Sequence, residues 1–128
     1  MIKVKERRLY PRFDVILPAR MWVAGEPLDG NVFDISMGGL QMGCDHASVV
    51  KAVPTAGQIV TPGLDLQVKV SFQIPGESQE LNTICRIAAC RRVSDNEYRV
   101  GLEIVEFATE SESHLYEAYI QQRIDDVA

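Results

Sequence analysis

The sequence predicts an all-β domain that ends in one α-helix, with about six short strands arranged as a closed or nearly closed barrel. Three observations support this fold class. Apolar and polar residues alternate over most of the chain, turn-forming residues separate the alternating segments, and the last segment changes to the four-residue spacing of a helix. At 128 residues, of which 46% are hydrophobic, the chain fits one domain with a core.

The later strands have the clearest alternation. Over residues 64–74 the apolar side chains share one parity, and the turn sequence Pro75-Gly76-Glu77 follows. The runs 81–93 and 98–104 show the same character and are joined by Ser94-Asp95-Asn96, whose side chains favour turns. These two runs are therefore predicted to form an antiparallel hairpin.

The first half of the chain contains shorter strands. Residues 15–23 are predicted to form a strand that ends at Gly25-Glu26-Pro27. Residues 31–36 and 40–44 are predicted to pair with each other around Met37-Gly38-Gly39. With the later runs, these segments give the strands that the barrel requires.

The C-terminal segment has the pattern of an amphipathic helix over about residues 110–125. Its apolar side chains recur at four-residue spacing, as two overlapping sets: Leu115 and Tyr119, then Tyr116, Ile120 and Ile124. Thr109-Glu110-Ser111-Glu112 matches a capping box with Thr109 as N-cap. We expect the tyrosines to pack against the barrel, although an exposed interaction face is the alternative. Residues 45–62 have no steady period and are predicted to form a loop.

Charge divides the chain into an arm and a body. Residues 1–12 hold five basic residues and one acidic residue, a net +4, whereas the remainder holds eight basic and seventeen acidic residues, a net −9. We therefore separate a basic N-terminal arm, residues 1–14, from a barrel domain, residues 15–128. The total of −5 argues against a DNA- or RNA-binding protein, which needs a broad basic surface.

Composition also predicts a cytoplasmic protein that does not insert into a membrane. No run approaches the ~18 apolar residues of a membrane span, and the first residues lack an apolar signal core. The odd number of cysteines, Cys44, Cys85 and Cys90, favours reduced thiols. Cys85 and Cys90 lie five apart in a predicted strand, so we expect them on opposite sides. A metal site at Cys44 and His46 lacks further ligands at close spacing.

The first short pattern of interest is Arg7-Arg8-Leu9-Tyr10-Pro11-Arg12 in the arm. Pro11 prevents a continuous helix and biases Tyr10 toward an extended conformation. Arginine suits a guanine nucleotide because its guanidinium pairs with guanine O6 and N7, binds phosphate oxygens and stacks on a base. The alternative is a solvated basic tail without a ligand.

The second pattern, Asp34-Ile35-Ser36-Met37-Gly38-Gly39, lies where one predicted strand turns into the next. Ile35 should point into the core, with Asp34 and Ser36 on the opposite face. A carboxylate accepts hydrogen bonds from guanine N1–H and N2–H, and a hydroxyl serves either base or phosphate. Gly38 and Gly39 permit a positive φ and a close approach of the backbone to a ligand. The alternative is a plain Gly-Gly hairpin.

Together the two patterns resemble the paired RxxxR and (D/N)xSxxG motifs of the PilZ domain family. Arg8 and Arg12 match the first motif, and Asp34, Ser36 and Gly39 match the second. The strand order and the final helix are also similar, so the resemblance covers nearly the whole chain. It implies a six-stranded antiparallel β-barrel plus one α-helix, with cyclic di-GMP held between the arm and the barrel surface.

The predicted ligand-binding residues come from both motifs and their neighbours: Arg7, Arg8, Arg12, Asp34, Ser36, Gly38 and Gly39. By resemblance, the two motif arginines contact guanine and phosphate. Basic Arg7, just before the motif, implies two intercalated cyclic di-GMP molecules per protomer. The resemblance further implies a receptor or adaptor that alters the interactions of an effector protein and controls motility, biofilm or exopolysaccharide output.

Two other classes of function compete with the receptor. A PilZ-like interaction module would bind protein through an exposed sheet edge and the helix, without depending on nucleotide. An enzyme would need a nucleophile with a histidine partner, a carboxylate pair or a metal set, and the spacing suggests none of these. We therefore expect no catalytic residues and no cofactor other than the nucleotide ligand.

Overall fold

The computed structural model describes residues 11–23, 25–52 and 67–127, which form six β-strands and two α-helices. In chain order the elements are β1 (Phe13–Val23), β2 (Glu26–Ile35), β3 (Gly39–Cys44), α1 (His46–Ala52), β4 (Gln67–Gln73), β5 (Glu80–Ser94), β6 (Glu97–Phe107) and α2 (Glu110–Val127). The prediction of an all-β fold with a C-terminal helix is confirmed.

The strands close into a barrel in the order β1-β2-β3-β6-β5-β4, and β4 pairs with β1 to complete the ring. All six pairings are antiparallel. Because β3 and β4 lie on opposite sides of the ring, the connection that contains α1 passes from one side to the other. Every described strand therefore has hydrogen-bonded neighbours on both sides.

The barrel interior is filled by alternate residues of the strands, as a period of two requires. In β4, for example, Val68, Val70 and Phe72 are buried, whereas Gln67, Lys69 and Gln73 of the other parity are exposed. Ser71 is the exception, because it is also buried. Burying an apolar side chain of this size contributes about 1.5–3 kcal/mol. The repetition of this pattern around the ring explains why alternation in the sequence predicted the fold.

α2 packs against this core through the predicted face. Tyr116 and Ile120 are 1% and 0% exposed, and Leu115, Tyr119 and Ile124 are partly buried beside them. The tyrosines therefore pack against the barrel, which confirms the first of the two alternatives. Neither α1 nor α2 is long and apolar enough to cross a membrane.

The capping box at the start of α2 is confirmed and has an additional partner. The Glu112 amide donates to Thr109 Oγ1 at 3.2 Å, and the Thr109 hydroxyl donates to Glu112 Oε2 at 2.8 Å. Glu112 Oε1 also accepts from the Asn82 amide at 2.8 Å and from Asn82 Nδ2 at 3.2 Å. Glu112 thus joins the first turn of α2 to β5.

The prediction of a loop over residues 45–62 is wrong for His46–Ala52, which forms α1. Asp45 caps this helix, because its Oδ1 accepts from the Ser48 amide at 2.8 Å. Val49 is fully buried in the core. A helix of seven residues is too short to produce a visible four-residue period. Residues 53–62 lie outside the described residues.

The predicted placement of the cysteines in β5 is also wrong. The register shifts between Ile87 and Ala89, so the alternation of faces shifts there too. Cys90 consequently packs against the core, in which Cys85 is fully buried. All three cysteines are free thiols. Burial raises the pKa of Cys85 to about 11 and that of Cys44 to about 12.

Candidate functional site

The turn between β2 and β3 carries the second sequence motif and is held by three hydrogen bonds. The Ser36 amide donates to the Gly39 carbonyl at 2.9 Å, which closes the turn. The Ile104 amide of β6 donates to the Gly38 carbonyl at 3.0 Å. The Tyr116 hydroxyl donates to the Ser36 carbonyl at 2.6 Å. The turn is therefore fixed by its own backbone, by β6 and by α2.

Gly39 is required at this turn by close approach and not by its backbone angle. A Cβ atom on Gly39 would lie 2.5 Å from the Leu102 carbonyl oxygen of β6, and a backbone atom cannot yield easily. Among the described glycines, those with positive φ are Gly25 at 82° and Gly76 at 87°. Gly38 and Gly39 therefore do not use the positive φ that glycine permits, and Gly39 is needed for its close approach to β6.

Asp34 and Ser36 differ in exposure. Asp34 keeps 24% of its side chain exposed, whereas Ser36, just beyond the end of β2, is only 5% exposed. The strand alternation that would place both on one outward face ends at Ile35. The Ser36 side chain is therefore largely inaccessible, whereas Asp34 presents its carboxylate at the surface.

The strand register brings the two motifs together. β1 begins at Phe13, which pairs with Ile35, and Asp14 pairs with Asp34. Arg12, just before β1, therefore lies beside the end of β2, and Arg12 Nη1 is 3.6 Å from Asp34 Oδ1. This is the juxtaposition that the paired motifs predicted. Arg7 and Arg8 lie outside the described residues.

The carboxyl of Asp34 is held in an environment that disfavours its charge. Partial burial raises its pKa above the usual 3.8, the Arg12 guanidinium opposes this effect, and the nearby Asp14 carboxylate adds to it. The ion pair with Arg12 is itself exposed, with 47% of the arginine side chain accessible. A ligand that donates hydrogen bonds to Asp34 would relieve this electrostatic cost.

Two residues beside the motif were not predicted from the sequence. The Phe33 ring lies close to Gly43, where a Cβ atom would meet it at 2.5 Å. The guanidinium of Arg99 on β6 lies over the Phe33 ring, 4.1 Å from its centroid. Arg99 Nε is buried and has no hydrogen-bond partner in the structure. To predict the contact between Phe33 and Arg99, one would have to know that Gly43 pairs with Arg99. The alternation of apolar residues does not give this strand register.

A row of paired residues that are at least partly exposed runs across the sheet next to Asp34. Asp34 pairs with Gln41, Gln41 pairs with Gly101, and Gly101 pairs with Ala89. Two of these positions, Gly101 and Ala89, carry small residues. Among the described residues, no group of three or more His, Cys, Asp or Glu side chains could hold a metal ion.

Comparison with solved structures shows the same fold in proteins of distant sequence. MrkH from K. pneumoniae, in complex with c-di-GMP, has a TM-score of 0.65 and 18% identity, with 94% of this chain and 53% of that chain covered. The Bacillus subtilis inhibitor of motility, MotI/DgrA, has a TM-score of 0.60 and 17% identity, covering 93% and 52%. The chain thus spans about half the length of these two proteins.

A third structure matches over nearly its full length. The PilZ domain of YcgR from Escherichia coli, with c-di-GMP, has a TM-score of 0.61 and 10% identity, with 94% of both chains covered. No curated protein sequence matches the chain. The sequence model of the PilZ domain matches residues 6–122, which include both motifs, the barrel and most of α2. The chain therefore belongs to the PilZ domain family.

Proposed function

We propose that this chain is a cytoplasmic cyclic di-GMP receptor that converts the level of the messenger into altered binding of an effector protein. The observation that carries the proposal is the contact between Arg12 and Asp34 at 3.6 Å, which joins the two motifs at one place on the barrel. Family membership and the c-di-GMP complexes of MrkH and YcgR support it.

The two residues have complementary roles toward a guanine nucleotide. The guanidinium of Arg12 bonds phosphate oxygens or guanine O6 and N7, and its plane stacks on a base. The Asp34 carboxylate accepts from guanine N1–H and N2–H, donors that adenine does not present together. The pKa of Asp34 is raised mainly because burial removes water from its carboxylate. Hydrogen bonds from the guanine N–H groups would replace the hydrogen bonds from that water.

The direct test is calorimetric titration with cyclic di-GMP. Arg12→Ala should weaken binding about tenfold or more, because each charge-assisted contact is worth on the order of 1.5–3 kcal/mol. Arg8→Ala should have a similar effect if the first motif acts as a unit. The matched control is Arg20→Ala, because Arg20 of β1 forms a comparable exposed ion pair with Asp29 of β2 at 3.5 Å. That variant should bind like the wild type.

Three outcomes of the titration are decisive. Undiminished affinity in both Arg8→Ala and Arg12→Ala would place the ligand elsewhere. A stoichiometry of two ligands per protomer would agree with the role proposed for Arg7, whereas a stoichiometry of one would contradict it. No binding by the wild type would instead favour an interaction module that does not depend on nucleotide.

The effector is the second part of the proposal. The description of MotI/DgrA as an inhibitor of motility supports motility as one output. Biofilm and exopolysaccharide control are the other outputs we propose. Affinity capture with and without cyclic di-GMP, from cells of the source organism, tests this point. A partner set that is identical in both conditions would contradict a ligand-dependent adaptor.

A further inference from the structure

One buried hydroxyl bridges both ends of the turn that carries the second motif. Tyr116 Oη lies 2.6 Å from the Ser36 carbonyl oxygen and 3.5 Å from the Gly39 carbonyl oxygen. Tyr116 is 1% exposed, so this donor does not exchange freely with water. Burial, the largest cause, raises its pKa well above the usual value, so the hydroxyl stays protonated.

The ring that carries this hydroxyl is fixed by two other aromatic rings. Phe72 of β4 contacts it edge-on, with centroids 6.0 Å apart and planes at 80°. Phe107 at the end of β6 lies 5.3 Å away at 43°. Aromatic contacts of this kind favour one orientation of the ring. The direction of the Tyr116 hydroxyl is thus set by the barrel core.

α2 also contacts the strand that follows the first motif. Arg123 Nη2 donates to the Asp14 carbonyl at 3.2 Å, and its guanidinium lies 5.6 Å from the centroid of the Phe13 ring. Phe13 directly follows Arg12 and pairs with Ile35. With Glu112 bonded to β5, α2 is attached at three places along its length, and two of them adjoin the motif residues.

We infer that Tyr116 is a positioning residue for the proposed cyclic di-GMP site, through which α2 sets the geometry of the Asp34–Gly39 turn. The inference rests on the proposed function. Removing the hydroxyl leaves the Ser36 carbonyl buried without this donor, and the turn relaxes to find another. Coupling between two sites is reciprocal. If the docking of α2 favours ligand binding at the turn, ligand binding stabilises the docked α2 by the same free energy.

The test compares Tyr116→Phe with Tyr98→Phe. Tyr98 is a matched control because it is 2% exposed and its hydroxyl lies 3.0 Å from His46 Nδ1. Tyr98 pairs with Cys44, at the end of β3 opposite to the turn. Each variant loses one hydroxyl, so both should lower the melting temperature. Only Tyr116→Phe should raise the Kd for cyclic di-GMP, by about fivefold.

Amide hydrogen exchange separates this inference from the proposed function. Tyr116→Phe should accelerate exchange at the Ser36 amide, whereas Tyr98→Phe should leave it unchanged. Equal Kd values in the two variants, or an unchanged Ser36 amide in Tyr116→Phe, would overturn the inference. If the wild type fails to bind cyclic di-GMP, the proposed function and the ligand part of the inference fail together. Exchange at Ser36 would still decide whether Tyr116 positions the turn.

Discussion

The surface around Asp34 differs from the contact by which Glu112 anchors α2 to β5, although each region has one carboxylate at its centre. Asp34 keeps 24% of its side chain exposed and faces Arg12 at 3.6 Å, with its pKa raised by partial burial. Glu112 is 2% exposed. Its burial raises its pKa, but hydrogen bonds from Thr109 and Asn82 outweigh that effect and lower the pKa overall.

The difference separates a carboxylate that completes the fold from one that is available to a ligand. The lone pairs of Glu112 are used by donors of the protein itself, so its charge stabilises the native state. Asp34 is partly desolvated and receives less compensation from its neighbours. The fold therefore carries a small cost at Asp34 that a guanine edge can remove.

The largest expected effect comes from breaking the anchor. Glu112→Ala removes the acceptor of the Asn82 amide and of the Thr109 hydroxyl, and should lower the free energy of unfolding by about 2–3 kcal/mol. Urea denaturation measures this loss. Glu117→Ala, at an exposed position of α2, is the control and should change stability by less than about 0.5 kcal/mol. If Glu112→Ala and Glu117→Ala lost equal free energy of unfolding, Glu112 would not be a specific anchor of α2.

The next effect concerns selectivity at Asp34. Asp34→Ala should weaken cyclic di-GMP binding by about tenfold, because it removes the proposed acceptor of the guanine N1–H and N2–H donors. The attraction of the phosphates should not fall, because the variant loses a negative charge that would repel them. Titration with cyclic di-GMP and cyclic di-AMP gives the ratio of affinities, which should fall in the variant. Asp29→Ala, at an exposed position of β2, should leave the ratio unchanged. Equal affinity of the wild type for both nucleotides would contradict this role.

A smaller effect is expected in the acid limb of the stability profile. Because the folded pKa of Glu112 lies below its usual 4.5, its contribution is present above that value and is lost as pH falls through the folded pKa. Thermal melts between pH 3 and pH 7 should show this loss in the wild type. Glu112→Gln should be less stable at pH 7 and should lose less on acidification. If Glu112→Gln and the wild type lost equal stability on acidification, carboxylates other than Glu112 would determine the acid limb.

The smallest expected effect is a gain in stability at neutral pH when the charge of Asp34 is removed. The folded pKa of Asp34 lies above its usual 3.8, so its contribution is present below that value and is lost as pH rises through the folded pKa. Asp34→Asn should therefore raise stability at pH 7, by no more than about 0.5 kcal/mol, while weakening ligand binding. Urea midpoints at pH 7 and pH 3 should differ between variant and wild type only at pH 7. A loss of stability at pH 7 would show that the ionised form supports the fold.

The sequence predicted those parts of the molecule that depend on local periodicity. Alternation identified all six described strands, and four-residue spacing identified the face of α2 that carries Tyr116 and Ile120. The proximity of Arg12 and Asp34 was predicted from the paired motifs, because the first motif ends one residue before β1 and the second begins near the end of β2. The assignment of ligand-binding residues stays a prediction.

Features that depend on pairing between distant segments were missed. The register shift beside Ala89 moved Cys90 to the core, and no local pattern reports such a shift. Ser36 is buried beyond the end of β2, in a turn held by α2 from 80 residues away. β2 begins at Glu26 and not at residue 31, because the turn at Gly25 allows Trp22 to pair with Pro27. Tertiary contacts decide each of these features.

Closure of the ring has a consequence for how another protein can recognise this one. A sheet with a free edge can accept a strand from a partner, and the backbone hydrogen bonds of that added strand are insensitive to sequence. Here β4 pairs with β1, so none of the described strands offers a whole edge for such an addition. On the described part of the chain, a partner would instead contact side chains, such as those on the exposed surface of α2. Recognition by side chains depends on their identity and position, and these are properties that a bound nucleotide can alter.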